Sequence, residues 1–532
     1  MSDNNERYDR QIRLWGPHGQ AAIQSATILF LGSDCVASEF LKNMVLHGVN
    51  NIYIVDNVIT TNEDLGTNFF VNEESLGKSR AEIISVLLTE LNPSSKIKAI
   101  EADPNDLNSF DDISSHLEGQ ECYVVTSGNL RPSFLSALSD RCRQKGFKQA
   151  HIQTSGFLGT FYLDGGLHYF FEGSSQSKYP LKELRILNPF PKLAEFWESI
   201  DFDGIDDIEH AHIVFPAILY KVRKEVLSEL NIKELSSKNE FAIRDKINSL
   251  RRKKKNPSPE EDPFMQEAGF DEAQDNISLL YGKPSIPIEV SDYFQLLQDN
   301  DSIYKEGEGI LFWELMFATL RFYEKHKVLP HYGGCPDMEA TSDLFRKQKN
   351  IYKEKSDEDW AEISEDLKSR GIDTDSNKEI FERFKKNVWR AGGVVYQPIK
   401  EQITKLPNQN FLYDDESIKL AIVQDLFIAA RNFYEKNNRV PINTTEDVQN
   451  LLKEMEDLKE IINEDIKEQF IKERELYVKE FCRYKGEAFP SVAATFAAML
   501  AQEVTKLIIK QANPVPGIVN YDSIHAYLNV SS

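Results

Sequence analysis

Cysteine is scarce and scattered in this chain of 532 residues. The five cysteines are odd in number and none stands at metal-ligand spacing from another: Cys35, Cys122, Cys142, Cys335 and Cys482. This pattern excludes a disulfide-stapled fold and a zinc-finger type of site. It is typical of a reducing compartment, so we expect the chain to act in the cytosol, the nucleus or both.

Positive charge is in the minority, and long hydrophobic runs are lacking. Lysine and arginine number 62 against 85 aspartates and glutamates, a net charge of −23. Such a surface repels nucleic-acid phosphates and anionic lipids. The longest largely apolar stretch, around 491–501, is shorter than the ~20 residues that span a bilayer, and residues 1–6 do not resemble a signal peptide. We therefore expect neither a nucleic acid nor a membrane as a partner.

The organisation of the chain indicates an α/β fold. Over residues 27–172, short β-rich runs alternate with helical patterns, which is typical of βαβ units in a mostly parallel sheet. The predicted strands are 27–31, 51–56, 96–102, 122–126 and 149–154. Two further β runs, 160–163 and 168–172, flank Asp164-Gly165-Gly166 and predict a hairpin.

From residue 173 the pattern changes to long, charged, amphipathic helices that persist to about residue 485. A strong helix over 491–510 and β runs over 518–521 and 523–528 follow. We therefore predict a discontinuous α/β domain, formed by residues 1–172 and 486–532, with residues 173–485 inserted as a mainly helical domain.

Glycine is lacking where a nucleotide-binding fold needs it. The first predicted strand ends in Gly32-Ser33-Asp34-Cys35, with Gly32 as the only glycine of the turn. Glycines there let backbone N–H groups and a helix N-terminus approach a phosphate. Asp34 instead adds a negative charge. Asp56 follows the second strand, where such folds hold ribose hydroxyls, although an acid at that point can equally cap a turn.

Several motifs fall in order along the chain. They are YDRQIRLWG (8–16), LKNMVLHGV (41–49), NFF (68–70), GKSRA (77–81) and, near the other end, QEVTK (502–506). In these motifs the chain resembles the ubiquitin-like-protein activating enzymes. The resemblance implies a Rossmann-like adenylation fold of the ThiF/MoeB type, with a large helical insertion.

The departures from that family are informative. Active members carry a Gly-x-Gly-Gly-x-Gly turn, an Asp-x-Asp pair and an Asn-Leu-x-Arg-Gln motif that hold ATP and magnesium. Here the second Asp is Val58 and the third motif reads DLGTN (64–68), so a phosphate-binding arginine and a magnesium ligand are missing. The resemblance thus implies a degenerate pocket, around Gly32, Asp56 and Lys78, that holds no functional cofactor.

The family captures its modifier on a cysteine that threonine follows, and no cysteine here is followed by threonine. We expect Cys335 to be exposed but inert. Paired members of the family also reach into each other's active sites with a residue of the opening motif, which corresponds to Arg10. The resemblance therefore implies that Arg10 acts in trans on the partner's ATP; the alternative is a surface salt bridge.

Without a working pocket or thiol, the chain resembles the regulatory half of a heterodimeric activating enzyme. Its length favours the half that serves the neddylation modifier over the shorter sumoylation half; a Rossmann oxidoreductase and a pure scaffold remain alternatives. The resemblance implies a catalytic partner that binds ATP and magnesium, and a ubiquitin-like modifier. Within the segment 330–343, the expected partner contacts are His331, Pro336, Asp337, Met338 and Asp343.

One further cluster, of acids and histidines over 201–212, could suggest a metal site. No bidentate glutamate follows at the spacing of a calcium loop. We expect the start of a solvated helix and no metal.

Overall fold

A computed structural model describes residues 7–170, 181–254, 263–299, 310–407, 414–455 and 464–531. The chain forms two compact units. The first comprises Met1–Phe170 with Gly393–Ser532, and the second comprises Phe171–Gly392.

The described strands are β1 (Thr27–Leu31), β2 (Asn51–Val55), β3 (Lys96–Ile100), β4 (Cys122–Ser127), β5 (Lys148–Ser155), β6 (Leu158–Asp164), β7 (Leu167–Phe170), β8 (Gly392–Val395), β9 (Ile518–Asp522) and β10 (Tyr527–Ser531). Eight of them form the sheet of the first unit, in the order β10-β9-β6-β5-β4-β1-β2-β3. β1 to β5 run parallel, whereas β6, β9 and β10 are each antiparallel to a neighbour. Every residue of β1 and β4 is buried, which explains their continuous apolar character.

Helices make up most of the rest of the described chain. Those of the first unit are α1 (Asp9–Ser25), α2 (Cys35–His47), α3 (Arg80–Leu91), α4 (Leu107–Ser115) and α5 (Pro132–Gln144), with five more after the second unit. Those of the second unit are α6 (Pro191–Glu198), α7 (Asp207–Ala211), α8 (Phe215–Leu230), α9 (Glu240–Leu250), α10 (Ala268–Asp275), α11 (Ile288–Asp299), α12 (Ile310–His326), α13 (Ser342–Ser369) and α14 (Lys378–Asn387). The last five are α15 (Ile399–Gln402), α16 (Asp415–Asn437), α17 (Thr445–Glu454), α18 (Glu464–Tyr484) and α19 (Pro490–Ile509).

The helix α19 is longer than the apolar stretch seen in the sequence. Among the described residues it is the one helix long and apolar enough, by length and composition, to cross a membrane. In this structure it is a core helix, because its apolar side chains pack against α2 and the sheet in the main core of the first unit. The packing is close: a Cβ at Gly159 of β6 would lie 2.8 Å from the ring of Phe496.

The predicted hairpin between β6 and β7 is wrong. β7 pairs with β8, more than two hundred residues further along the chain, in a separate two-stranded sheet. Asp164, at the end of β6, accepts two hydrogen bonds from Arg143, at 2.8 and 2.9 Å. Arg143 also donates to the carbonyl of Tyr396, directly after β8, at 2.6 Å. This arginine therefore fixes both the turn after β6 and the chain that pairs with β7.

The predicted boundary at residue 485 is also wrong, because residues 393–485 belong to the first unit. Leu158 of β6 packs in one apolar cluster with Ile422 and Phe427 of α16 and with Phe481 of α18. Asn520 of β9 donates to Gln424 of α16 at 3.0 Å. The helical region is thus divided, and only its first part forms a separate unit.

The second unit has its own apolar core, built largely from α6, α8, α9 and α10. α8 contributes a buried run that begins at its first residue, Phe215, and Pro216 fits at the helix start because its missing N–H would be unpaired there. Trp197 of α6 donates its indole N–H to Gln348 of α13 at 2.8 Å.

Candidate functional site

The turn after β1 is shaped by its own side chains. Gly32 has φ +116, a backbone conformation that favours glycine, and a Cβ there would lie 3.2 Å from the Ser127 hydroxyl. Asp34 caps α2 by accepting a hydrogen bond from the N–H of Ala37 at 2.8 Å. The helix N-terminus that binds phosphate in nucleotide-binding folds is therefore occupied by a carboxylate of the chain itself.

Arg80 lies at the centre of this pocket. Its guanidinium donates to the Ser33 hydroxyl at 3.0 Å, to Asp64 at 2.7 Å and to Asp56 at 3.3 Å. Ser33 in turn donates to the same Asp56 carboxylate. The side chains of Arg80, Asp56 and Asp64 are only 15%, 2% and 12% exposed. The space where a nucleotide would meet the sheet edge thus contains an internal ion-pair network.

Acids outnumber bases in this network. Besides Asp56 and Asp64, the carboxyls of Asp34 and Glu487 lie close enough to interact electrostatically with Arg80. Burial raises the pKa of Asp34, and burial together with the charge of Asp34 raises the pKa of Glu487. One guanidinium thus faces four carboxyls, and this excess of acidic groups is unfavourable for an anionic ligand such as a triphosphate.

Lys78 does not take part in the network. Its side chain is exposed, whereas Ser79 caps α3 and Arg80 is the first residue of that helix. The prediction that Lys78 belongs to the pocket therefore needs correction: the cation that the pocket holds is Arg80. The signal was present in the sequence, because serine at the position before Arg80 marks a helix start and fixes the direction of the following side chain.

The five cysteines are all unpaired and buried. Cys335, expected to be exposed, is only 7% exposed and packs in the core of the second unit. Burial raises its pKa to about 11, so the thiol is protonated near neutral pH. Burial likewise raises the pKa of the other four, with Asp34 adding to the effect at Cys35. None has the environment of a nucleophile.

The side chain of Arg10, on α1, is exposed to solvent, whereas that of Arg80 is largely buried. The chain around it is held firmly: Asn92 donates to the hydroxyl of buried Tyr8 at 3.0 Å, and Gln11 donates to the carbonyl of Leu46 at 3.1 Å. The neighbouring Arg13 pairs with Asp9 at 2.9 Å. No ion pair of Arg10 is found in the described part of the chain, so its guanidinium is available to a ligand or partner.

His331 is a structural residue of the second unit. It is 1% exposed and stacks on Tyr352, with ring centroids 4.8 Å apart. Its Nδ1 accepts from the N–H of Gly333 at 2.9 Å, so its Nε2–H donates to the carbonyl of Glu183 at 3.1 Å. Burial and the charge of Arg185 lower its pKa to about 3. The expectation that His331 touches a partner is therefore wrong, because its ring is enclosed.

The other predicted contacts differ in exposure. Pro336 and Met338 are half-buried, and Met338 packs against the core, where its sulfur accepts from Gln348 at 3.4 Å. Asp337 and Asp343 are exposed. Of the predicted contacts within residues 330–343, these two carboxylates are the most accessible to a partner, and their role in binding stays a prediction.

The cluster of acids and histidines over 201–212 has local structural roles. Asp206 caps α7 by accepting hydrogen bonds from the N–H groups of Ile208 and Glu209. His210 is buried and pairs with Glu267 at 2.5 Å. These contacts agree with the start of a helix.

The fold and the degenerate pocket indicate the protein family to which the chain is similar. Residues 8–163 match the model of the ThiF family, in keeping with a Rossmann-like sheet whose first turn faces the degenerate pocket.

Comparison with known proteins identifies the group of relatives more closely. The chain is 30% identical to the NEDD8-activating enzyme E1 regulatory subunit of Xenopus laevis over 531 residues, 95% of this chain and 94% of that protein. It is 28% identical to the regulatory subunit AXL of Arabidopsis thaliana, over 98% of both chains. SUMO-activating enzyme subunit 1 of Dictyostelium discoideum matches at 32% identity, over 30% of this chain and 46% of its own. The chain belongs to the NEDD8-activating enzyme E1 regulatory subunits.

Proposed function

We propose that this chain is the non-catalytic subunit of a two-subunit enzyme that activates NEDD8. In that enzyme the partner subunit adenylates the C-terminal glycine of the modifier with ATP and then holds it as a thioester, which begins protein neddylation. The observation that carries the proposal is the position of Arg80, whose guanidinium and four neighbouring carboxyls occupy the pocket that ATP would need.

ATP and its magnesium are bound, in this proposal, by the partner subunit alone. The support from this chain is chemical. The helix N-terminus at Asp34 is already capped by a carboxylate, and the excess of acid around Arg80 repels phosphate. The thioester cysteine belongs to the partner for a similar reason, because burial keeps all five thiols of this chain protonated and enclosed.

Arg10 is the residue through which this chain contributes to the reaction. A guanidinium is charged at every physiological pH and can bind two phosphate oxygens at once. Arg10 is exposed on a helix that Tyr8 and Gln11 fix to the sheet unit, so it can project from a defined position without a pocket of its own. We assign it to the triphosphate in the partner's site.

The exposed carboxylates of Asp337 and Asp343 are the proposed contacts with the catalytic subunit. The net charge of −23 favours a basic protein surface over nucleic acid or lipid. Five unpaired cysteines support the cytosol or the nucleus as the place of action.

The proposal is tested by purification from the source cell through a tag on this chain. Mass spectrometry is expected to identify a second, cysteine-bearing ThiF-type subunit in equal amount, and the pair should form a thioester with NEDD8 in the presence of ATP. Recovery of a pair that loads SUMO and not NEDD8 would overturn the choice of modifier. Recovery of the chain alone would overturn the two-subunit assignment.

A further inference from the structure

The C-terminal end of α2 is bonded by side chains from other parts of the first unit. The last carbonyls of a helix have no partner within it, so they accept hydrogen bonds from elsewhere or from water. The side-chain amide of Gln11 donates to the carbonyl of Leu46 at 3.1 Å. The amide of Gln20 donates to the carbonyl of His47 at 3.0 Å. Both glutamines belong to α1, so these two bonds attach α1 to the end of α2.

Asn92 supplies a third side-chain donor at the same helix end. It directly follows α3 and is 0% exposed. Its amide donates to the carbonyl of Val45 at 3.2 Å and to the hydroxyl of Tyr8 at 3.0 Å. Its side-chain oxygen accepts from the N–H of Ser94 at 3.3 Å. Asn92 therefore joins the ends of α2 and α3 to the residue that precedes α1.

The ring of Tyr8 is enclosed at this junction, with 3% of the residue exposed. Gly48, directly after α2, has φ +102, and a Cβ there would lie 2.9 Å from Cζ of Tyr8. A side chain at this position would thus be strained as well as blocked. The carbonyl of Tyr8 accepts from the N–H of Ile12 at 2.8 Å, which forms the first turn of α1. Arg10 lies within this turn.

We infer that Asn92 is a positioning residue for Arg10 and acts through Tyr8. The inference rests on the proposed role of Arg10 in the partner's ATP site. The direction of the Arg10 side chain depends on the backbone that carries it, because no ion pair holds its guanidinium within the described part of the chain. Without the Asn92 amide the hydroxyl of Tyr8 loses this donor, and the first turn of α1 can shift. A displacement of about 1 Å in a group that acts on a substrate can cost about a hundredfold in rate.

The test is a double-mutant cycle with the assembled two-subunit enzyme. ATP–pyrophosphate exchange is measured for the native chain, Asn92→Ala, Arg10→Ala and the double variant. Asn92→Ala should slow exchange about fivefold in the native background but less than about twofold when residue 10 is already alanine, because groups that act as a unit have non-additive effects. A purely structural role would lower both rates by the same factor.

Tyr8→Phe is a milder second variant. It keeps the ring that packs against Gly48 and removes only the hydroxyl that Asn92 binds. Exchange should slow about twofold to threefold, with the same dependence on Arg10. This variant decides the question if Asn92→Ala does not fold or assemble, which its melting temperature and its recovery with the catalytic subunit will show.

Asn520→Ala is the matched control. Asn520 is also 0% exposed in the first unit, and its amide also donates twice, to Gln424 at 3.0 Å and to Asn529 at 3.2 Å. Neither acceptor belongs to α1, α2 or α3. The variant loses a comparable buried side chain, so any effect on exchange should be the same with and without Arg10.

The possible results separate the inference from the proposed function. Asn92 is not a positioning residue if its replacement slows exchange by the same factor in both backgrounds, or if neither Asn92→Ala nor Tyr8→Phe changes the rate. In that case a slow Arg10→Ala enzyme would still support the proposed function. An Arg10→Ala enzyme as fast as the native one would refute the role of Arg10, and the inference with it.

Discussion

Replacement of Arg80 tests whether the degenerate pocket is stabilised by its internal ion pairs. Arg80→Met keeps most of the side-chain volume but leaves Asp56 and Asp64 without their cation, and these carboxylates are 2% and 12% exposed. Removing one partner from a buried ion network costs about 3–5 kcal/mol, because the remaining charge is still desolvated. For a unit of this size, the loss corresponds to a fall in melting temperature of roughly 5–8 °C.

The control and the pH dependence sharpen this prediction. Arg141→Met removes an ion pair with Asp111 in which the arginine side chain is 34% exposed and the aspartate side chain 41%, so its cost should stay below about 1 kcal/mol.

Burial raises the pKa of Asp34 and of Glu487 in the folded chain, so the free energy of unfolding falls as the pH rises through the window between their unfolded and folded pKa values. Without Arg80 the carboxyls repel one another more strongly, and the deficit should be larger near about pH 8 than near about pH 5.

The measurement is thermal unfolding of the native chain and both variants across that pH range. The triple variant Arg80→Met, Asp56→Asn, Asp64→Asn should recover much of the lost stability, because it removes the unpaired charges along with the cation. The reasoning is refuted if Arg80→Met costs no more than Arg141→Met, or if its deficit shrinks as the pH rises.

Three further predictions concern the proposed function. Arg10→Ala should slow adenylation by the assembled enzyme at least about tenfold without loss of assembly. Arg13→Ala, on the same helix, is the control and should have little effect. An Arg10→Ala enzyme as fast as the Arg13→Ala enzyme would favour a pure scaffold. Cys335→Ser should leave thioester formation intact in a gel assay, because the thiol is buried and its pKa is raised to about 11; loss of the thioester in a folded variant would place the nucleophile here. Asp337→Lys should weaken association with the catalytic subunit about fivefold or more in a titration, while Lys353→Glu serves as the surface control; unchanged affinity would remove Asp337 from the interface.

The sheet could be predicted well from the sequence because its strands are local and buried. β1 was predicted at its observed bounds, and β2 and β3 within two residues. The partner of β7 could not be predicted, since β8 is a short run more than two hundred residues away and the turn after β6 is fixed by Arg143. The sequence pattern of an amphipathic helix predicts its apolar face, but it does not predict which core that face packs against. For this reason the sequence assigns α16 to α18 to the wrong unit.

Only part of the candidate site could be predicted from the sequence. The loss of glycine at the first turn predicts a pocket closed to phosphate, which stays a prediction, and Asp34 does more than add charge, because it caps α2. Arg80 and not Lys78 points into the pocket because α3 begins directly after Ser79; this serine marks the helix start in the sequence, but the prediction did not make use of it. The burial of His331 and Cys335 depended on tertiary packing that no local pattern encodes.

The most direct test of the central claim is ATP–pyrophosphate exchange with the purified chain, measured alone and again after assembly with its catalytic partner. The account predicts no modifier-dependent exchange by the isolated chain, because Arg80 and its carboxyls occupy the pocket, and robust exchange by the assembled pair. Exchange by the isolated chain at a rate near that of the pair would contradict it.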